Sequence, residues 1–215
     1  MPLLARPAVP DVRPKLRNRE LGNHPPHRKA VRHFDEPGHV HELTFSCYQR
    51  HPLLVDDQIR RLFCEALDRA IMGHNFRLLA FVIMPEHVHL LVQPQTIESQ
   101  VSDLLFAIKR PSSYRIKQYW QDTNAAQIES LTIRQRPGQM SFRFWQEGPG
   151  YDRNLTEPGS IMAAINYIHL NPVRRGLCDR AIDWKWSSAR YHVLPEMPQD
   201  PDLPKLVSLS PDLLA

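Results

Sequence analysis

The sequence predicts an α+β domain: an antiparallel sheet with helices on one face, and an extra C-terminal helix beyond it. Three observations predict it. Runs rich in β-formers and runs of helical spacing follow one another as strand, helix, strand, strand, helix, strand. Only a proline turn separates the second and third strands, which suits a hairpin. A third helical run then follows where the sheet is already complete.

Each element has a local reason. "HELTFSCYQ" (41–49) is dense in β-formers and reads as the first strand. "DDQIRRLFCEALDRAIMGHN" has an acidic start, apolar residues at helical spacing from Ile59 to Ile71, and a late Gly73 as its stop. "FRLLAFVIM" and "HVHLLVQP" are two strands broken at Pro85. "ESQVSDLLFAIKR" begins the second helix, and "PSSYRIKQYW" continues it past a kink at Pro111. Residues 121–141 read as a connector, "FRFWQ" as a short edge strand and "EGPG" as a turn. "TEPGSIMAAINYIHLNP" is the third helix, with Thr156 as its cap and Pro172 limiting its end. "DWKWSSARYHVLP" reads as a docked tail that then runs loose. The order of elements is that of the ferredoxin-like split β-α-β arrangement.

The 215 residues suit one compact domain with extensions: a basic, proline-rich flexible arm over 1–37, a domain over 38–192 and a proline-rich tail over 193–215. Net charge is +4, and up to Glu36 eight Lys and Arg face four Asp and Glu, so the arm holds the whole excess. Such an arm can follow phosphates by counterion release, or simply remain a solvated tail. No apolar stretch approaches the length of a membrane span, and the first residues lack the apolar core of a secretory signal. Three widely spaced cysteines fit neither a disulfide framework nor a cysteine-rich zinc site. Reduced thiols in a cytoplasm are the expectation.

Two His-x-His pairs stand out. Alternate residues of a strand face the same way, so His87 and His89 can reach one metal ion together from a rigid strand. The bland alternative is two histidines hydrogen-bonded at a sheet face, since a metal usually needs three or more ligands. His39 and His41 lie where the arm meets the first strand and read as incidental. On the third helix, Tyr167 and Asn171 are four apart and share a face. The amide oxygen of Asn171 could complete a two-histidine set, and mixed nitrogen and oxygen ligation suits Mg²⁺ or Mn²⁺. A phenol with a pKa of about 10 is a poor nucleophile unless its ionised form is favoured or its phosphate target polarised. From the helix alone, Tyr167 reads first as an aromatic that packs on the sheet.

Four stretches, "FVIMPEHVHLLVQP", "FRFWQEGPGYDRNLT", "INYIHLNPVRRGL" and "DWKWSSARYH", occur in the order seen in the single-tyrosine transposases of the HUH (histidine–hydrophobic–histidine) superfamily. The chain most resembles their REP-associated tyrosine transposases, over roughly residues 38–192. The resemblance implies His87 and His89 as paired metal ligands, Asn171 as the third ligand and Tyr167 as the nucleophile. It implies a divalent cation, Mg²⁺ or Mn²⁺, and single-stranded or hairpin DNA carrying palindromic repeats. The implied chemistry passes through a 5′-phosphotyrosine and a free 3′-hydroxyl without nucleotide hydrolysis. A location in the cytoplasm at the nucleoid follows, with one chain acting alone or two pairing as in insertion-sequence relatives. The chain departs from the family pattern in the long arm and in the loop before Tyr151, where it has "GPGYDR" and relatives often read "RGYYDR".

Other candidates carry two readings each. Arg174 and Arg175 can contact phosphate, or serve the helix C-terminus as cations. Lys109, Arg110, Arg115 and Lys117, interleaved with Tyr114 and Tyr119, can flank a DNA strand or form a solvated face. Trp184, Trp186, Ser187 and Ser188 are expected to dock in the core. Tyr151 is the rival nucleophile, without a ligand four residues on; Glu86 receives no role. A repeat-binding protein of the same fold that does not cut is the first rival function. A small-molecule metallohydrolase, which would need a further histidine or carboxylate, is the second.

Overall fold

A computed structural model describes residues 38–148, 150–209 and Leu213. The arm read over residues 1–37 lies outside the described residues. A four-stranded antiparallel sheet organises the domain: β1 (Val40–Ser46), β2 (Phe76–Ile83), β3 (His87–Pro94) and β6 (Tyr151–Leu155), in the order β2-β3-β1-β6. Helix α1 (Asp57–Gly73) links β1 to β2, and α2 (Val101–Thr123) leads away from β3. This is the split β-α-β arrangement the sequence predicts.

The sheet separates two cores. Leu43, Phe45, Val88, Leu90 and Val92 pack with Phe63, Leu67, Leu104 and Ile108 of α1 and α2 on one face. On the other, Leu79, Ala80, Val82 and Leu91 pack with Ile161, Ala164, Ile165 and Ile168 of α4 (Pro158–Arg174). Strand β2 serves both by a register shift between Leu78 and Ala80, which puts Leu79 and Ala80 in the same core. A bulge of this kind turns successive residues to one face. The extra helix therefore lies on the face opposite α1 and α2.

Several local expectations are corrected. The segment read as a connector forms α3 (Ala125–Ser130) and a hairpin of β4 (Thr132–Arg136) and β5 (Gln139–Phe142). "FRFWQ" is not the fourth strand: Phe142 closes β5, while Phe144 and Trp145 are buried and Trp145 bridges only Cys47. The edge strand is instead the polar "YDRNL", held to β1 from Val40–Leu155 to Thr44–Tyr151. Its charged residues gave no apolar signal, as befits an edge.

Helix α4 starts at Pro158 with no side-chain cap, so Thr156 does not cap it. A proline at the first helical position needs no N–H there and presets φ. Pro172 does not end it either: the helix runs to Arg174, and Gly176 at φ +65° makes the stop. One missing N–H in a last turn is tolerated, and a left-handed glycine after the helix closes it. Helix α2 continues past Pro111, as the sequence predicts, and there Ser112 Oγ donates to the Ile108 carbonyl at 2.7 Å.

The segment after the third helix docks as expected. Trp186 is buried, and the Trp184 indole donates to the Ile83 carbonyl at 3.1 Å. Ile83 N–H bonds Trp186 O and Ser188 N–H bonds Phe81 O, so this segment covers the free edge of β2 before α5 (Ala189–Val193). The following residues, read as loose, stay attached: Val207 N–H donates to Leu78 O at 3.2 Å, and Lys205 N–H to the Asp68 carboxylate at 2.8 Å.

Candidate active site

Alternation along β3 decides what the site contains. Val88, Leu90 and Val92 enter the α1–α2 core, so His87, His89 and Leu91 face α4. Register then fixes their neighbours on β1: Ser46 opposite His87, Thr44 opposite His89, Glu42 opposite Leu91. Beyond them, β6 sets Tyr151 opposite Thr44 and Arg153 opposite Glu42. Helix α4 buries Ile161, Ala164, Ile165 and Ile168, which turns Tyr167 and Asn171 along its flank. A cleft of about 1040 Å³ results, lined by His87, His89, Tyr167, Asn171, Arg174 and Arg175 among others.

Hydrogen bonds set the histidines' orientation. The Nδ1 of His87 is 3.1 Å from Glu86 Oε1, and the Nδ1 of His89 is 2.8 Å from Thr44 Oγ1. Their Nε2 atoms stand 3.0 Å apart, with the rings nearly perpendicular at 83°. An ionised carboxylate only accepts, so His87 Nδ1 carries the proton and its Nε2 offers a lone pair. The chain is then satisfied in one direction: Thr44 O–H to His89 Nδ1, His89 Nε2–H to His87 Nε2, His87 Nδ1–H to Glu86. Rotation of the Thr44 hydroxyl and a tautomer change at His89 would free both Nε2 lone pairs.

Charge states agree with this. Burial pushes both imidazoles down, His89 to about 3, so both are neutral near pH 7. Burial alone would raise the Glu86 carboxyl, but the His87 imidazole and the Arg175 guanidinium outweigh it and hold it below the usual carboxylate range. Neutral imidazoles are what a cation requires as ligands.

Tyr167 stands across the cleft. Its ring meets that of His89 edge-on, 5.7 Å between centroids at 90°, and it is 43 % exposed. The Arg174 guanidinium lies 5.0 Å over the same ring. Asn171 is buried, and its Nδ2 donates to the Tyr167 carbonyl at 2.9 Å. With the N–H end tied to the helix, the amide oxygen is the end left for other partners.

His87, His89 and Asn171 offer nitrogen and oxygen donors that could hold a divalent cation. The two Nε2 atoms, 3.0 Å apart, lie close enough that both could serve one cation. Asn171 lines the same cleft as the two histidines. Among the described residues no group of three or more His, Cys, Asp or Glu is disposed to hold a metal ion.

The remaining candidates divide. Arg174, Arg175 and Tyr151 line the cleft with the histidines. Lys109, Arg110 and Arg115 sit on α2, on the other side of the sheet. There Lys109 donates to the Gly148 carbonyl at 2.9 Å and Arg115 pairs with Glu65. His41 is not poorly held: it is buried, its Nδ1 3.0 Å from Asp152 Oδ1, and it ties β6 to β1. Sequence reasoning missed Glu86, Thr44 and Glu42, which reach the site through cross-strand register and a turn.

At Gly150, φ is +81°, and a Cβ would lie 2.2 Å from the Thr44 carbonyl oxygen. The second tyrosine of the family pattern has no room in this backbone. The departure read from sequence is thus built into the β1–β6 pairing.

Fold and site together define a ferredoxin-like domain whose extra helix sets a tyrosine beside a histidine pair. The model of the IS200-like transposases matches residues 38–132, a span that holds the histidine pair. A Haemophilus influenzae protein named as a REP-associated tyrosine transposase is 26 % identical over 175 residues, 77 % of this chain and 91 % of that protein. A solved REP-associated tyrosine transposase bound to a REP hairpin superposes with a TM-score of 0.61 at 16 % identity, covering 84 % of this chain and all of that one. The chain has the fold of that enzyme, and the resemblance to REP-associated tyrosine transposases read from its sequence is borne out.

Proposed function

We propose that this chain cleaves and rejoins single-stranded or hairpin DNA through Tyr167, with Mg²⁺ or Mn²⁺ held by His87, His89 and Asn171. The observation that carries the reading is the edge-on approach of Tyr167 to His89, 5.7 Å between centroids, across one cleft. The Tyr167 oxygen attacks a phosphodiester phosphorus, and the bond from phosphorus to the 3′ oxygen breaks. A 5′-phosphotyrosine and a free 3′-hydroxyl result, with the phenol proton ending on the 3′ oxygen. Rejoining reverses this: a 3′-hydroxyl attacks the phosphotyrosine, the bond to the tyrosine oxygen breaks, and the phenol is restored. The ester keeps the bond energy, so no nucleotide need be hydrolysed.

Arg174 and Arg175 supply positive charge where the phosphate would lie. When bound, the cation would polarise the phosphate toward attack. A cleft of about 1040 Å³ is at the upper limit for small-molecule sites and suits a strand passing through. The hairpin in the solved relative supports folded repeat DNA as partner. No described helix is long and apolar enough to cross a membrane. Action by a single chain at the nucleoid is part of the proposal. Labelled single-stranded hairpins incubated with Mg²⁺ should yield a protein–DNA adduct that survives denaturation. Hairpin binding without adduct, across many hairpins, would leave a binding protein instead.

A further inference from the structure

We propose that Glu86 is a positioning residue of this cleft: one carboxylate oxygen fixes the ring of His87 and holds two guanidinium groups beside it. The inference rests on the reading of His87 and His89 as a cation site. Three segments converge on Glu86 Oε1: the His87 Nδ1 at 3.1 Å, Arg175 Nη1 at 2.9 Å and Arg50 Nη2 at 3.3 Å. Glu86 belongs to the turn between β2 and β3, Arg50 to the turn after β1, and Arg175 to the end of α4. Backbone bonds hold the turn in place: Cys47 N–H to Glu86 O at 2.9 Å and Leu54 N–H to Pro85 O at 2.8 Å.

Stability does not account for this arrangement. The carboxylate side chain is 9 % exposed, whereas the Arg175 and Arg50 side chains are 52 % and 61 % exposed. Ion pairs with exposed arginines contribute little, while burying a carboxylate is costly. What the geometry delivers is orientation. A carboxylate behind an imidazole fixes its tautomer and raises its basicity toward a cation. Each guanidinium has five N–H donors, so one bond to Glu86 leaves others for a phosphate in the cleft. Arg50 and Arg175 both line that cleft with the histidines. Glu86 thereby sets the cation ligand and the phosphate contacts in one frame.

The test uses full-length, metal-free protein and Mn²⁺ as probe, comparing wild type with Glu86→Gln, Glu86→Asp and His87→Ala. Glu86→Gln should weaken Mn²⁺ binding by about 10- to 100-fold, with thermal stability nearly unchanged. Glu86→Asp, which keeps the charge but shortens the reach, should fall between. Nitrogen NMR of the metal-free protein should show His87 protonated at Nδ1 in wild type and in mixed tautomers in Glu86→Gln. Wild-type Mn²⁺ affinity in Glu86→Gln, with binding lost in His87→Ala, would overturn the role of Glu86 and leave the cation site standing. Mn²⁺ binding equal in wild type and His87→Ala would overturn the cation site, and this proposal with it.

Discussion

The Nε2 atoms of His87 and His89 stand 3.0 Å apart on the cleft face of β3, each ring held from behind by an oxygen, Glu86 Oε1 or Thr44 Oγ1. Two neutral nitrogens on one face could together hold the divalent cation of the proposed reaction. Replacing either histidine with alanine should reduce Mn²⁺ affinity by more than the roughly 10- to 100-fold typical of outer partners. Asn171→Ala should weaken binding as well, and Asn171→Asp, which keeps an oxygen there, should retain it. Titration of each variant with Mn²⁺ followed by electron paramagnetic resonance measures this.

Acid should unfold the protein through its buried imidazoles. Burial pushes His89 to about 3, and burial with the neighbouring His192 pushes His169 to about 3, against an ordinary value of 6.5. Between those values the unfolded chain binds more protons, so stability rises with pH and is lost as pH falls from 6.5 toward 3. Each group contributes up to about 1.4 kcal/mol per pH unit. The urea midpoint should drop between pH 7 and pH 5, and His169→Gln should flatten part of the slope. A midpoint constant over that range would contradict the burial argument.

Gly150→Ala should destabilise by more than the roughly 1–3 kcal/mol of backbone strain alone, because its Cβ would lie 2.2 Å from the Thr44 carbonyl. Gly148→Ala is the control: φ is +99° but a Cβ there meets nothing within 4 Å. Thermal melts of the two variants separate collision from strain. Equal losses would show that the backbone leading into β6 can yield at Gly150.

Ser188→Ala should lower stability by about 1–3 kcal/mol, the usual result of leaving a buried donor unpaired. Its Oγ accepts from Phe81 N–H at 2.9 Å and bonds His169 Nε2 at 2.8 Å, clipping the C-terminal segment to β2 and α4. Mn²⁺ affinity should stay unchanged, since neither Ser188 nor His169 lines the cleft of the histidine pair. Calorimetry and the same Mn²⁺ titration check both halves.

Local periodicity explains what could be read without coordinates. His87 and His89 two apart on a strand, and Tyr167 and Asn171 four apart on a helix, declare a shared face by spacing alone. That these two faces meet depends on α4 crossing the sheet opposite α1 and α2, which no short pattern encodes. Glu86, Thr44 and Tyr151 join the site through register and a turn. Arg174 and Lys109 look alike as charges in a sequence, yet the sheet separates them. Pro172 misled for a physical reason: it removes one N–H bond, and packing along the rest of the helix outweighs that loss.

In the proposed reaction Tyr167 carries the DNA. Mass spectrometry of the peptide joined to a nucleotide, after reaction of wild-type protein with a single-stranded hairpin and Mg²⁺, tests it most directly. The phosphate is expected on Tyr167, with no adduct from Tyr167→Phe and an undiminished one from Tyr151→Phe. A phosphate found on Tyr151, or an adduct persisting in Tyr167→Phe, would contradict the account.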